Sequence, residues 1–321
     1  MGKETFTVGT ASARPGTRSF GKLIVGELSD GSPVEMPVIV VNGANPGPVL
    51  YVGAAIHANE LNGVEIIRRM VPEIDPQKLS GTIIFVPTQN PLAFRAKHPL
   101  TPFFHEKGDI TDMWQAFPGN PNHDVTSIMT HILVTEAMSK AEYIIDLHGG
   151  FPADRCAALP MPDNKKAEEL AKAFNLWIIE YAPPVKVPLY DLGKDMKKVV
   201  VCVELGHSEW LDERRITQGI KGMWNALRHL KMIEGAVEPP EKPPIYIMSS
   251  MTIRAGKGGW LITHVDCLDE VKKGHLLATV YNLFDFEKTE EIRAPRDGVV
   301  LRIVTYPQVN RGSRVVALGW S

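Results

Sequence analysis

Two histidines and two glutamates stand at the ends of three apolar runs in this 321-residue sequence. They are His57 and Glu60 in VLYVGAAIHANELNG (49–63), His148 in YIIDLHGG (143–150) and Glu204 in VVVCVELG (199–206). Two imidazoles and one carboxylate, with a second carboxylate in reserve, make up the donor set of a hydrolytic zinc site. Three protein groups hold the metal there and a fourth position stays open to water. The pattern points to a metal-dependent hydrolase with one zinc ion per chain, bound by His57, Glu60 and His148.

The spacing adds to this reading. His57 directly follows the run VLYVGAAI, and Glu60 begins the next helix, so a three-residue step across the turn can bring both side chains to one ion. His148 closes a second strand. Asp146, two residues earlier, shares its face by strand alternation. It is expected to accept a hydrogen bond from a ligand histidine and fix its tautomer. Glu204 interrupts an otherwise apolar strand, where an unpartnered carboxylate is costly. Its expected role is general base and acid, taking a proton from the metal-activated water and returning it to the departing amine.

These residues need a scaffold that brings strand ends together. VLYVGAAI, TIIFVPT (82–88), YIIDLH and VVVCVELG read as buried strands. LNGVEIIRRMVPEI (61–74), VTSIMTHILVTEAMSKA (125–141), KKAEELAKAFNL (165–176) and DERRITQGIKGMWNALRHLKMI (212–233) have helical spacing. The alternation predicts an α/β domain on a parallel or mixed sheet flanked by helices, whose strand ends open on a common crevice. The stretch 90–124 is loop-rich, a length usually kept for function. A proline-rich acidic stretch, EGAVEPPEKPPIY (234–246), divides the chain into an α/β unit over 1–240 and a β-rich unit over 241–321. The second unit reads as a small all-β, barrel-like domain resembling biotinyl or lipoyl carrier domains. The APRDG turn (294–298) lacks the carrier lysine.

A formal charge of −2, with no basic tract, gives no electrostatic reason to expect nucleic acid or an anionic membrane as partner. Only three cysteines occur, widely spaced (Cys156, Cys202 and Cys267), which argues for a reducing compartment. With no secretory pattern at the start, a cytoplasmic protein is expected. A homo-oligomer is compatible with the sequence.

GPVLYVGAAIHANELNG, DLHGG and VELG, in this order, resemble the succinylglutamate desuccinylase/aspartoacylase family of zinc hydrolases. So do NGANPGP, the NP after TIIFVPTQ, FPGNP (117–121) and APRDGVV. The resemblance implies the zinc carboxypeptidase architecture, the ligands His57, Glu60 and His148, and Glu204 as catalytic glutamate. It also exposes departures. The family pattern NPxAFxxGTR carries a carbonyl-polarising arginine where NPLAFRAKHP has Pro99. The family's DLNRxFPG grips a substrate carboxylate through an Asn-Arg pair, where DMWQAFPG has Trp114 and Gln115.

The substrate is therefore expected to be an N-acylated small amine or amino acid without the acidic character of acetylaspartate, contacted by Trp114 and Gln115. Arg95 and Arg155 are the candidate replacement cations. The leading expectation is a zinc-dependent deacylase. Two alternatives remain open: a metal-containing binding or regulatory protein with little turnover, and a carboxypeptidase-like peptidase.

Overall fold

The apolar runs that carry the candidate residues become neighbouring strands at the centre of one sheet. The structure, a computed structural model, describes residues 4–102, 108–150, 153–154, 156–181, 186–240 and 242–321. The strands of the large sheet are named β1 (Thr17–Glu27), β2 (Pro33–Asn42), β3 (Asn45–Ala54), β4 (Ser80–Val86) and β5 (Tyr143–Gly150). They continue with β6 (Cys156–Pro160), β7 (Ile178–Glu180), β8 (Val199–His207) and β9 (Ile245–Ile247). Their spatial order is β9-β7-β6-β8-β5-β3-β4-β2-β1.

The sheet is mixed, as expected. β8, β5, β3 and β4 are parallel, whereas β6 runs against β8 and β2 runs against both β4 and β1. Ile144–Gly150 and Val199–Val203 are buried without interruption, the pattern of strands covered on both faces. β9 begins at the end of the proline-rich stretch, past residue 240, yet pairs with β7, so the large sheet draws on chain from both sides of that boundary.

Helix α1 (Leu61–Glu73) leaves β3 and packs beside the long helix Glu213–His229. The predicted helix over 125–141 is α-helical only at Val125–Ile132; a π segment (Leu133–Ala137) and a 3₁₀ turn (Met138–Lys140) follow. An additional helix, Pro188–Asp195, was not foreseen. Pro188 pre-sets its first turn, but the prolines before it read as loop.

The C-terminal chain forms two antiparallel sheets around a separate core that includes Leu261, Leu277, Val280, Ile292, Val300 and Leu318. The short strand Ala153–Asp154, just after β5, ties it to the large sheet's end by pairing with Gly298–Ile303. Among the described residues no helix is long and apolar enough to cross a membrane.

Gly63 explains how closely α1 lies on the sheet. A Cβ added there would stand 2.8 Å from Leu147 Cβ and 3.0 Å from Ala54 Cβ. Helix propensity alone makes Gly→Ala stabilising by about 1 kcal/mol. Here the contact should reverse the sign. Gly63→Ala is expected to lower unfolding stability by about 1–3 kcal/mol in denaturant titrations; a gain in stability would show that α1 has room to move away.

Candidate metal centre

Register sets the site. Glu204 of β8 lies directly beside His148 of β5, and Leu147 lies beside Ala54 at the end of β3. Three apolar strands thus end level with one another. Beyond Ala54 the chain turns through Ala55 in the left-handed region (φ 51°), a cost of about 1–2 kcal/mol for an L-residue, and presents His57 two positions later. Glu60 stands at the N-cap of α1 but its side chain caps no helix N–H. Its carboxylate turns to the histidines instead. Oε1 is 3.0 Å from His57 Nδ1 and Oε2 is 3.2 Å from His148 Nδ1. The donor atoms of these three residues all lie within 4.8 Å of one another.

Each imidazole is held from behind by a second carboxylate. His148 Nε2 is 2.7 Å from Asp146 Oδ2, and His57 Nε2 is 3.4 Å from Asp112 Oδ1. Asp146 belongs to a buried chain of hydrogen bonds. The Tyr51 hydroxyl donates to Gln89 Oε1 (2.9 Å), which turns the Gln89 amide so that Nε2 donates to Asp146 Oδ1 (2.7 Å). With Asp146 accepting at both oxygens, His148 donates from Nε2–H and Nδ1 is the nitrogen left for a ligand. Asp112 has two tasks: it also accepts from the Trp114 N–H (3.0 Å), capping the 3₁₀ turn Met113–Ala116 that carries Trp114 and Gln115.

The electrostatics follow from these contacts. Burial disfavours the His57 imidazolium, but the Glu60 carboxylate, with hydrogen bonds to Asp112 and Glu60, overrides it and raises the pKa to about 10. For His148, burial is again opposed, here by Asp146 and Glu60, and the outcome is a pKa well above the usual histidine range. Burial pushes Glu60 upward, yet the two histidines bring it down to about 2. Asp112 is lowered too: burial works against its charge, and the hydrogen bond and charge of His57 prevail.

The triad faces a cavity of about 430 Å³, also lined by Asp112, Trp114, Gln115, Glu204, Pro99 and Leu100. The Trp114 ring stands 6.0 Å from the His57 ring and 5.9 Å from that of His148. Its indole N–H is buried with no hydrogen-bond partner among the described residues. Cys202 lines the cavity as well, and burial pushes its thiol up to about 12 in the metal-free protein.

His57, Glu60, His148, Asp146, Glu204, Trp114 and Gln115 are thus brought together. Arg95 is not: it is exposed at the end of Pro91–Ala96 and does not line the cavity, whose wall there is Pro99 and Leu100. Arg155 lies outside the described residues. The guanidiniums that line the cavity are instead Arg302 and Arg314 of the C-terminal strands, which the sequence reading did not single out. Sequence reasoning also passed over Asp112, Gln89 and Tyr51. Gln89 left a signal, a polar pair with Asn90 directly after an apolar strand.

Comparison with known proteins agrees with the geometry. The profile of the succinylglutamate desuccinylase/aspartoacylase catalytic domain matches residues 46–230, the segment that holds the triad and Glu204. The chain belongs to the succinylglutamate desuccinylase/aspartoacylase family. One relative of this family member is an N-alpha-acetyl-L-2,4-diaminobutyric acid deacetylase from Halomonas elongata. The two are 26% identical over 298 residues, 89% of this chain and 85% of that protein. The fold is similar to the product-bound ectoine utilization protein EutE (DoeB) from Ruegeria pomeroyi (TM-score 0.84, 23% identity, 95% of each chain). It is also similar to a succinylglutamate desuccinylase/aspartoacylase from Rhodobacter sphaeroides (TM-score 0.83, 20% identity, 99% of this chain and 96% of that one).

A raised histidine pKa means that the charged form persists to higher pH. In metal-free protein at pH 8, where an imidazole with the reference pKa of about 6.5 is almost wholly neutral, His57 and His148 should both remain doubly protonated. Long-range ¹H–¹⁵N spectra read this directly. Neutral rings at pH 8 would contradict the arrangement described.

Proposed function

We propose that this protein is a zinc-dependent amidohydrolase that removes the acyl group from an N-acylated small amine or amino acid. The observation that carries the reading is the convergence of His57 Nδ1, His148 Nδ1 and the Glu60 carboxylate at a cavity that Glu204 also lines. The donor set fits zinc, since two imidazole nitrogens and one carboxylate occur with both rings oriented by carboxylates behind them. When bound there, zinc supplies Lewis acidity toward the scissile carbonyl and toward water.

The chain's own groups do the rest. Asp146 and Asp112 hold the two rings so that Nδ1 of each stays turned toward Glu60. Glu204, at the wall beside His148, takes the proton of the attacking water and passes it to the leaving nitrogen. Trp114 and Gln115 shape the side of the cavity where the substrate rests. Family membership and the deacetylase activity named for the Halomonas relative support amide hydrolysis as the reaction.

The proton shuttle has a direct test with N-alpha-acetyl-L-2,4-diaminobutyrate and a panel of other N-acyl amino acids. Glu204→Gln should lower kcat by about 10²–10⁴-fold while the protein keeps its zinc. Wild-type turnover by the variant would remove Glu204 from the reaction.

A further inference from the structure

The cavity takes its walls from two parts of the chain, and they differ in charge. The large sheet and its loops bring the carboxylates Glu60, Asp112 and Glu204; the C-terminal strands bring Arg302, from Gly298–Ile303, and Arg314, from Arg314–Trp320. Among the described residues these are the only Lys or Arg side chains that line it. Backbone register explains their arrival. Ala153–Asp154, a few residues past His148, pairs with Gly298–Ile303 and sets Arg302 opposite Asp154. Gly298–Ile303 then pairs with Arg314–Trp320, which carries Arg314 into the same wall.

The two arginines are not equivalent. Arg302 is half-buried and already has a partner within the chain. Arg314 is exposed, and among the described residues its guanidinium has no hydrogen-bond or ion-pair partner. Both also border an adjoining recess of about 300 Å³, which leaves the side chains room to move.

We propose that Arg314, with Arg302 beside it, is the anion-recognising group of this cavity and selects substrates with a free carboxylate on the amine portion. The substrate class is then the N-acyl amino acid rather than the N-acyl amine, a conclusion that rests on the deacylase reading above. The carboxylates of the opposite wall repel an anionic substrate, so such a substrate binds only where a cation compensates. A guanidinium matches a carboxylate with two parallel N–H···O bonds. Positions 99, 114 and 115, where the family pattern holds its arginines and asparagine, carry Pro, Trp and Gln here. The C-terminal strands supply the cation instead, and the size of the cavity suits a small-molecule ligand.

The test pairs N-alpha-acetyl-L-2,4-diaminobutyrate with its carboxamide. Calorimetric binding is measured on the zinc-loaded Glu204→Gln protein, and kcat/KM on protein with Glu204 intact. With Arg314 present, the acid should bind about 10- to 100-fold more tightly than the amide. Arg314→Gln should bring the two within about threefold, through KM rather than kcat, and Arg314→Lys should fall between. Equal binding of acid and amide, binding of neither, or a preference that survives Arg302→Gln/Arg314→Gln would overturn the proposal. The two readings fail separately. Hydrolysis with no arginine dependence removes the anion site and keeps the deacylase; arginine-dependent binding without any hydrolysis does the reverse.

Discussion

Two imidazoles, one buried and one partly buried, converge on one carboxylate, and the rest of the structure is organised around the electrostatic tension this creates. Glu60 alone cannot balance two imidazolium rings, and two neutral rings leave their outer N–H groups in need of acceptors. Asp112 and Asp146 answer both demands by meeting each ring at the nitrogen turned away from Glu60. In the metal-free state the raised histidines and lowered Glu60 favour a proton on each ring beside the carboxylate. On the proposed reading, exchanging those two protons for one divalent cation would leave the local charge unchanged.

Backbone geometry makes that arrangement possible. Parallel β3, β5 and β8 end level, so residues distant in the chain meet without long loops. Small residues then let polar groups reach across. A Cβ on Gly53 would lie 2.7–2.8 Å from the Gln89 amide, so only glycine allows Gln89 to pass over β3 between Tyr51 and Asp146. The orientation of His148 is therefore set by a tyrosine hydroxyl three hydrogen bonds away. Burial and the nearby Asp146 raise the Tyr51 pKa well above the ordinary value, which keeps it a donor.

The parts of the site visible in the sequence were those that break a pattern. His57, His148 and Glu204 stand out because each ends or interrupts an apolar run, and a buried polar residue there needs a chemical reason. The same logic found the central strands and most of the helices. It could not find Asp112, which sits in a loop-rich stretch where no periodicity fixes the path. Nor could it find Tyr51, which reads as ordinary core. Arg95 looked promising through nearness in sequence, but the short helix that carries it turns it to solvent. Arg302 and Arg314 were hidden for the opposite reason. Their approach depends on Ala153–Asp154 joining a strand from the far end of the chain, a long-range pairing that local pattern does not encode.

His57, Glu60 and His148 are proposed to hold one metal ion together. Elemental analysis of the purified protein tests it most directly, with wild type beside His57→Ala and His148→Ala. The account predicts about one zinc per wild-type chain, with both variants folded and nearly metal-free. A wild-type protein that takes up no metal on reconstitution, or variants that retain it in full, would contradict the account.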